Sequence, residues 1–314
     1  MKIFKKTTTL IIAVISMLTF AGCNQQPLNV NGNYWFYDSS SIPQGFEEVL
    51  TYNVEVASKT PSNSKEVKYE GYYYENTTGL LVTKLQTKIG QKTRYVYTTT
   101  FSFSGTYVTP TKSTPFSDSY TTITEFYDDY TPIYSEKVYN SELTNSAYKY
   151  RIDYTEDKAT CTLTQYPGTE NEVVDNFDFS KYKGNAFIDN DLVMLFPRLF
   201  NIDSSFVQQF KTIDVLLRKN HNMQYAAVVV EEKVDVKSLN NYIINGNPIK
   251  EDEKTITCNH VTINITDDFA GSNIETYYAT DHKTHRHRLI EAYTVISGGL
   301  GYMKYSLISA TVTD

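Results

Sequence analysis

Tyr95-Val96-Tyr97-Thr98-Thr99-Thr100-Phe101-Ser102-Phe103 is the stretch that decides the fold class. Tyr95, Tyr97, Thr99, Phe101 and Phe103 alternate with smaller or more polar neighbours. Period two sends them to one face of a pleated strand. The same pattern recurs outward in both directions. Tyr52, Val54 and Val56 alternate with Thr51, Asn53 and Glu55. Tyr148, Tyr150, Ile152 and Tyr154 oppose Lys149, Arg151 and Asp153, and Ala159, Cys161 and Leu163 continue the series. Alternation rich in Thr, Val and Tyr marks half-buried antiparallel strands. Turn signals separate the runs at Asn76-Thr77-Thr78-Gly79, Ile89-Gly90-Gln91, Thr109-Pro110, Tyr166-Pro167-Gly168 and Asn245-Gly246-Asn247-Pro248. About 12 to 14 strands result.

The period fails between Asp189 and Phe200 (DNDLVMLFPRLF), which is densely apolar without alternation. Asp189 or Asp191 is placed to cap a short helix that Pro197 ends or kinks. Asp203 is placed to cap a second, with Phe206, Val207 and Phe210 on one face. The expectation is a mainly β chain: a large curved antiparallel sheet or open half-barrel, with two short helices over about residues 189–210 packed on its concave face. About ten strands precede the helices and about five follow. The last block is a meander through Val261, Ile263 and Ile265, then Ile274 to Thr280, Leu289 to Ile296 and Met303 to Val312.

The chain has 314 residues, 40% hydrophobic, 14% aromatic and 21% charged. That composition supports a packed core rather than disorder. A formal charge of −7 argues against a nucleic-acid partner, which demands a basic face.

The N-terminus reads as an address. Lys2, Lys5 and Lys6 precede the uncharged run Leu10 to Phe20 (LIIAVISMLTF). Eleven apolar residues fit a signal-peptide core and are too few for an ordinary membrane-spanning helix, which needs about 20. Phe20-Ala21-Gly22-Cys23 follows. Small residues before a cysteine at this place resemble the lipobox of bacterial lipoproteins, with Phe20 where Leu is usual. The resemblance implies diacylglyceryl transfer to the Cys23 thiol, cleavage before it, and palmitate-type acylation. The expected division is a leader over 1–22, lipidated Cys23 with a flexible tether to residue 45, and one antiparallel β domain over 46–314. Losing the leader takes three lysines and no acid from a chain of −7, which leaves −10. So acidic a body relies on acyl chains, not a basic patch, to reach a membrane on the extracytoplasmic side.

The body also resembles the open half-barrels of envelope lipoproteins and lipid carriers of the LolA and LppX type, over about residues 46–312. The residues that carry the likeness are Leu50-Thr51-Tyr52-Asn53-Val54 with Tyr69 to Glu75 as an opening strand pair. Asp189 to Leu199 takes the place of the helical plug. Ile274 to Asp281 and His287-Arg288-Leu289-Ile290 take that of the closing strands. It implies binding of an acyl chain, lipid or lipoprotein in the concave face, without catalysis, and assigns no functional residue.

Other chemistry was weighed residue by residue. Cys161 and Cys258 both lie in strand-like runs. They are either a disulfide, which an oxidising compartment permits, or two buried thiols. His282, His285 and His287 form the one histidine cluster. A transition metal is the sharp reading, but Lys283, Arg286 and Arg288 repel a cation and favour a solvated turn. Asp267, Asp268 and Asn273 around Gly271 offer oxygen ligands without the spacing of a calcium loop. A hairpin explains them equally, as a turn explains Asp128-Asp129. No nucleophile elbow, phosphate loop or zinc-protease motif occurs, and Ser297-Gly298-Gly299-Leu300-Gly301 lies between strands. Fifteen of the 27 tyrosines fall between Tyr69 and Tyr154. Tyr72, Tyr73 and Tyr74 are consecutive, so at least one ring faces outward.

The resulting expectation is a membrane-anchored, non-enzymatic lipoprotein without cofactor. Its concave sheet face holds an apolar or amphipathic ligand. The competing reading is an adhesion module that grips glycan or protein with exposed tyrosines.

Overall fold

The computed structural model describes residues 45–63, 71–88, 90, 93–127, 131–155, 158–165, 173–178, 187–199, 207–213, 223–237, 243–244, 247–248, 255–266, 272–281, 287–296 and 300–313. Almost all of them are strand. The first block holds β1 (Glu47–Ala57), β2 (Tyr73–Lys88), β3 (Arg94–Thr109), β4 (Lys112–Tyr127), β5 (Pro132–Ser141), β6 (Ser146–Tyr154), β7 (Lys158–Gln165), β8 (Val173–Asp178) and the short β9 (Phe187–Asp189). Two 3-10 turns follow, Asn190–Leu192 and Phe196–Leu199. The second block holds β10 (Val207–Ile213), β11 (Met223–Lys237), β12 (Ile243–Ile244), β13 (Asn247–Pro248), β14 (Thr255–Thr266), β15 (Ser272–Ala279), β16 (Leu289–Val295) and β17 (Tyr302–Thr313).

Strands β1 to β8 pair antiparallel with their sequence neighbours. In the second block, β10 pairs with β11, β11 with β14, and β14 to β17 run as the expected meander. The two blocks join where β17 pairs with β1 over Glu47 to Ala57. One large antiparallel sheet results. Its exceptions are β9, which lies parallel to β10, and the β12–β13 hairpin, whose Ile244 touches Ala310 of β17.

The alternation read from sequence is the face division of this sheet. Glu48, Leu50, Tyr52 and Val54 of β1 are buried on the concave side. Tyr95, Phe101 and Phe103 of β3 are also buried. The two 3-10 turns and the residues between them lie against this face as a plug. Leu192, Val193, Leu195 and Phe196 are buried there in one cluster with Leu50, Tyr52, Leu81 and Tyr278. That cluster is the core.

Three expectations are corrected. Asn76 to Gly79 is not a chain reversal: β2 runs straight through it as a bulge, with Asn76 at φ 52 and a register shift between Glu75 and Thr78. A left-handed Asn suits a bulge as well as a turn. Gly79 is needed for contact rather than turning, because a Cβ there would lie 2.8 Å from Phe103 and from Val54. The second helix is instead strand β10 from Val207 onward, since seven ladder pairs to β11 outweigh local helix patterning. Asp203 and Phe206 lie outside the described residues. Finally, β1 pairs with Gly79 to Gln86, not with the Tyr69 to Glu75 run.

Candidate functional site

Cross-strand register builds the floor of a cleft. One row on the concave face runs Leu50, Thr83, Thr99, Thr122, Lys137, Tyr150 across β1 to β6. The row on one side of it runs Tyr52, Leu81, Phe101, Tyr120, Tyr139, Tyr148. Phe101 and Tyr120 stack there with ring centroids 4.8 Å apart. The row on the other side runs Glu48, Leu85, Tyr97, Thr124, Ser135, Ile152. A row of three buried threonines thus separates an aromatic row from a mixed one. Val193 and Met194 of the plug cover them, with Ile274, Thr294 and Tyr305 from the second block. About 390 Å³ stays open between floor and cover. That volume lies within the ordinary range of small-molecule sites.

Two ion clusters hold the plug over this floor. At its start, Lys137 Nζ sits 3.0 Å from Asp189 Oδ1 and 2.9 Å from Asp191 Oδ2. Asp189 also accepts from the hydroxyls of Ser135 (2.9 Å) and Tyr154, and from the Asp191 amide (3.0 Å). It therefore caps the first 3-10 turn, as read from sequence. Asp191 accepts from Thr124 at 3.3 Å. Burial alone would raise the Asp189 carboxyl, but the Lys137 charge and these donors hold it below its usual value. Asp191 is pushed up, by burial first and with its neighbour Asp189 adding to it.

At the other end of the plug, Arg198 grips Glu48 with two nitrogens, at 2.6 and 3.2 Å. Arg288 Nε donates to the same carboxylate at 2.8 Å. All three side chains are buried, Arg288 completely. Burial would raise the Glu48 carboxyl, but the two guanidiniums outweigh it and hold it at about 2. Between the two ends, Tyr278 donates its hydroxyl to the Met194 carbonyl at 2.6 Å. The plug is thereby tied to β1, β5, β15 and the approach to β16.

A second cavity of about 650 Å³ lies on the convex face. Register sets His260, Tyr277, Glu291 and Ser306 in one row and Thr262, Glu275, Tyr293 and Lys304 in the next. Ser62 lies 3.4 Å and Glu275 3.8 Å from His260, both at Nε2. A Ser-His-acid relay needs the acid on Nδ1, so this trio is not one. His260 instead stacks flat on Tyr277.

The remaining sequence candidates fall as follows. Cys161 lies in β7 and Cys258 in β14, both buried and in separate packing clusters, not bonded to each other. The disulfide reading gives way to the other one. Burial pushes the Cys258 thiol well up, so it acts as a small apolar side chain. His282 and His285 lie outside the described residues, as do Asp267, Asp268, Gly271, Asp128, Asp129 and Cys23. His287 is not in a solvated turn: it is buried at φ 50, and its Nδ1 donates to the Ala279 carbonyl at 3.0 Å. Among the described residues no three His, Cys, Asp or Glu side chains are grouped to hold a metal. Asn273 is an exposed residue of β15. Of the consecutive tyrosines, Tyr72 and Tyr73 face outward, at 42% and 47% exposure, while Tyr74 packs on Phe103, Tyr107 and Phe116. The two ion clusters were missed as clusters. From sequence, Asp189 and Asp191 read as caps, and Arg288 as part of a closing strand and as a charge that repels a metal from the neighbouring histidines.

The architecture defines a class, the β-barrel-like proteins built on one large open antiparallel sheet. Among solved structures, the β-barrel-like protein of the domain of unknown function DUF1849 from Brucella abortus is similar over 85% of this chain and 98% of its own, with a TM-score of 0.52 and 14% identity. That likeness shows the fold. No family model and no curated protein matches the chain.

Proposed function

We propose that this is a lipid-anchored extracytoplasmic protein that holds an apolar or amphipathic ligand between its concave sheet face and its plug, without catalysis. The cleft over the threonine row carries this reading. Leu81, Tyr120, Val193, Met194 and Ile274 give it apolar and aromatic walls, the threonine row gives it a hydroxyl-bearing floor, and the charged groups Lys137 and Asp191 sit together as one pair. Such a distribution suits a chain with a head group. The basic residues, apolar run and Ala21-Gly22-Cys23 of the leader support export and an acyl anchor, and the likeness to LolA and LppX carriers belongs to the same reading. The adhesion reading has less support, because only Tyr72 and Tyr73 are exposed tyrosines among the described residues.

Two experiments test the two halves. Cells expressing the full chain and fed an alkyne-tagged palmitate are expected to label it, and Cys23→Ser to abolish the label. Undiminished labelling of the variant would overturn the anchor. For the cleft, native mass spectrometry of the chain from its producing organism is expected to show a lipid adduct. Ile274→Trp projects an indole into the open volume and should cut adduct occupancy by about tenfold, the loss of roughly 1.4 kcal/mol. Equal occupancy in a folded Ile274→Trp chain removes the cleft as the site.

A further inference from the structure

The charge of the cleft selects the head group, an inference that rests on the cleft being the ligand site. Of the described residues that line it, only Lys137 and Asp191 are ionisable at neutral pH. Tyr97 and Tyr120 keep their protons, because burial pushes their phenols up. Lys137 is enclosed by two carboxylates, and its side chain is 9% exposed. Asp191 is the more open partner at 17%. One ammonium facing two carboxylates leaves one negative charge uncompensated. Arg198 and Arg288 belong to the separate cluster on Glu48 at the other end of the plug and are not among the residues that line the cleft.

A second observation points independently to a ligand. Thr122 is directly opposite Lys137 in the register and 5% exposed, and its hydroxyl, on the cleft wall, has no hydrogen-bond partner among the described residues. A buried hydroxyl in an apolar setting costs free energy unless something fills its valence. The aromatic row beside it contributes Tyr120 and Tyr139 to the same wall. The negative face of an aromatic ring attracts a cation where one can reach it.

We infer that the cleft takes an amphipath whose head is a protonated amine, with the ammonium on Asp191, a hydrogen bond to Thr122 Oγ1, and the chain along Leu81, Tyr120 and Met194. A second cation beside Lys137 brings the cluster with Asp189 and Asp191 to neutrality. A carboxylate or phosphate head would instead meet an excess negative charge in a poorly solvated site.

The test compares three twelve-carbon probes on the full chain carrying Cys23→Ser: dodecylamine, dodecanol and dodecanoate, titrated by native mass spectrometry near pH 7. Dodecylamine is expected to bind at least about tenfold tighter than dodecanoate, with dodecanol between them. Asp191→Asn keeps the side-chain shape and should narrow the amine-to-carboxylate ratio to within about threefold while leaving dodecanol unchanged. Equal binding of the three probes by the unaltered cleft overturns the charge inference and leaves the ligand site standing. Preference for dodecanoate overturns it as well. Failure of all three to bind removes the ligand site itself, and the head-group inference with it. The wild-type comparison decides the matter even if Asp191→Asn fails to fold, which circular dichroism reports.

Discussion

Glu48→Gln is expected to lower the melting temperature by roughly 10 °C. The glutamine keeps the shape and can accept one hydrogen bond, but it removes the carboxylate charge that Arg198 and Arg288 share. Two guanidiniums that are 3% and 0% exposed then lose that charge in a site that water does not reach. Breaking a buried pair from one side typically costs about 3–5 kcal/mol, which is 2–4 °C per kcal/mol in a large domain. The pH dependence gives an independent check. The Glu48 carboxyl falls from its usual 4.5 to about 2 on folding, so the folded form releases this proton more readily than the unfolded chain. Its contribution, about 3 kcal/mol, is fully present above pH 4.5 and is lost as pH falls toward 2. Urea midpoints at pH 7 and pH 3 should therefore differ less in Glu48→Gln than in the parent. Parallel pH profiles would show that Glu48 does not carry this term.

That carboxylate also shows where sequence reading stops. Period two exposed the face division of β1, β3 and β6, because side-chain direction in a strand is a local property. Glu48 shares that inward face with Leu50 and Tyr52, just ahead of the alternating run that begins at Tyr52. What period cannot give is the partner. Arg198 is 150 positions away and Arg288 is 240 away, and only the return of β17 to pair with β1 brings these parts of the chain together. The plug was legible as a break in alternation, and Asp189 as its cap, because capping is also local. The second helix was not, since β10 is strand only by virtue of the edge of β11. The threonine row lay in view as Thr83, Thr99 and Thr122, one per strand. Register alone makes it a row, through the pairs Thr83 with Thr99, Thr99 with Thr122 and Thr122 with Lys137. The cleft was anticipated as a place between sheet and plug, but the sign of its charge was not, because Lys137 reads as an ordinary outward residue until β5 is set beside the plug.

The same residue gives the second large effect, with the opposite response to acid. Lys137→Met keeps most of the stem and its packing on Tyr150, and removes the ammonium between Asp189 and Asp191. Two carboxylates then share a buried site whose remaining donors are Ser135, Tyr154, Thr124 and one backbone amide. Like charges so placed cannot both stay ionised, and at pH 7 the variant should lose about 3–5 kcal/mol. In the parent, Lys137 holds Asp189 below its usual value, so acid removes that contribution. In the variant, burial and mutual repulsion act without the cation and the carboxyls rise. The folded variant then binds protons more readily than its unfolded chain, and acid relieves it. The stability gap between parent and Lys137→Met should accordingly shrink when urea midpoints are compared at pH 5 instead of pH 7. Adding Asp189→Asn should recover part of the loss at pH 7, because one carboxylate near the surface of the cleft can stay ionised alone. A gap that widens on acidification would mean that Lys137 supports the plug by packing, not by charge. The cleft would then lack the negative excess on which its choice of head group depends.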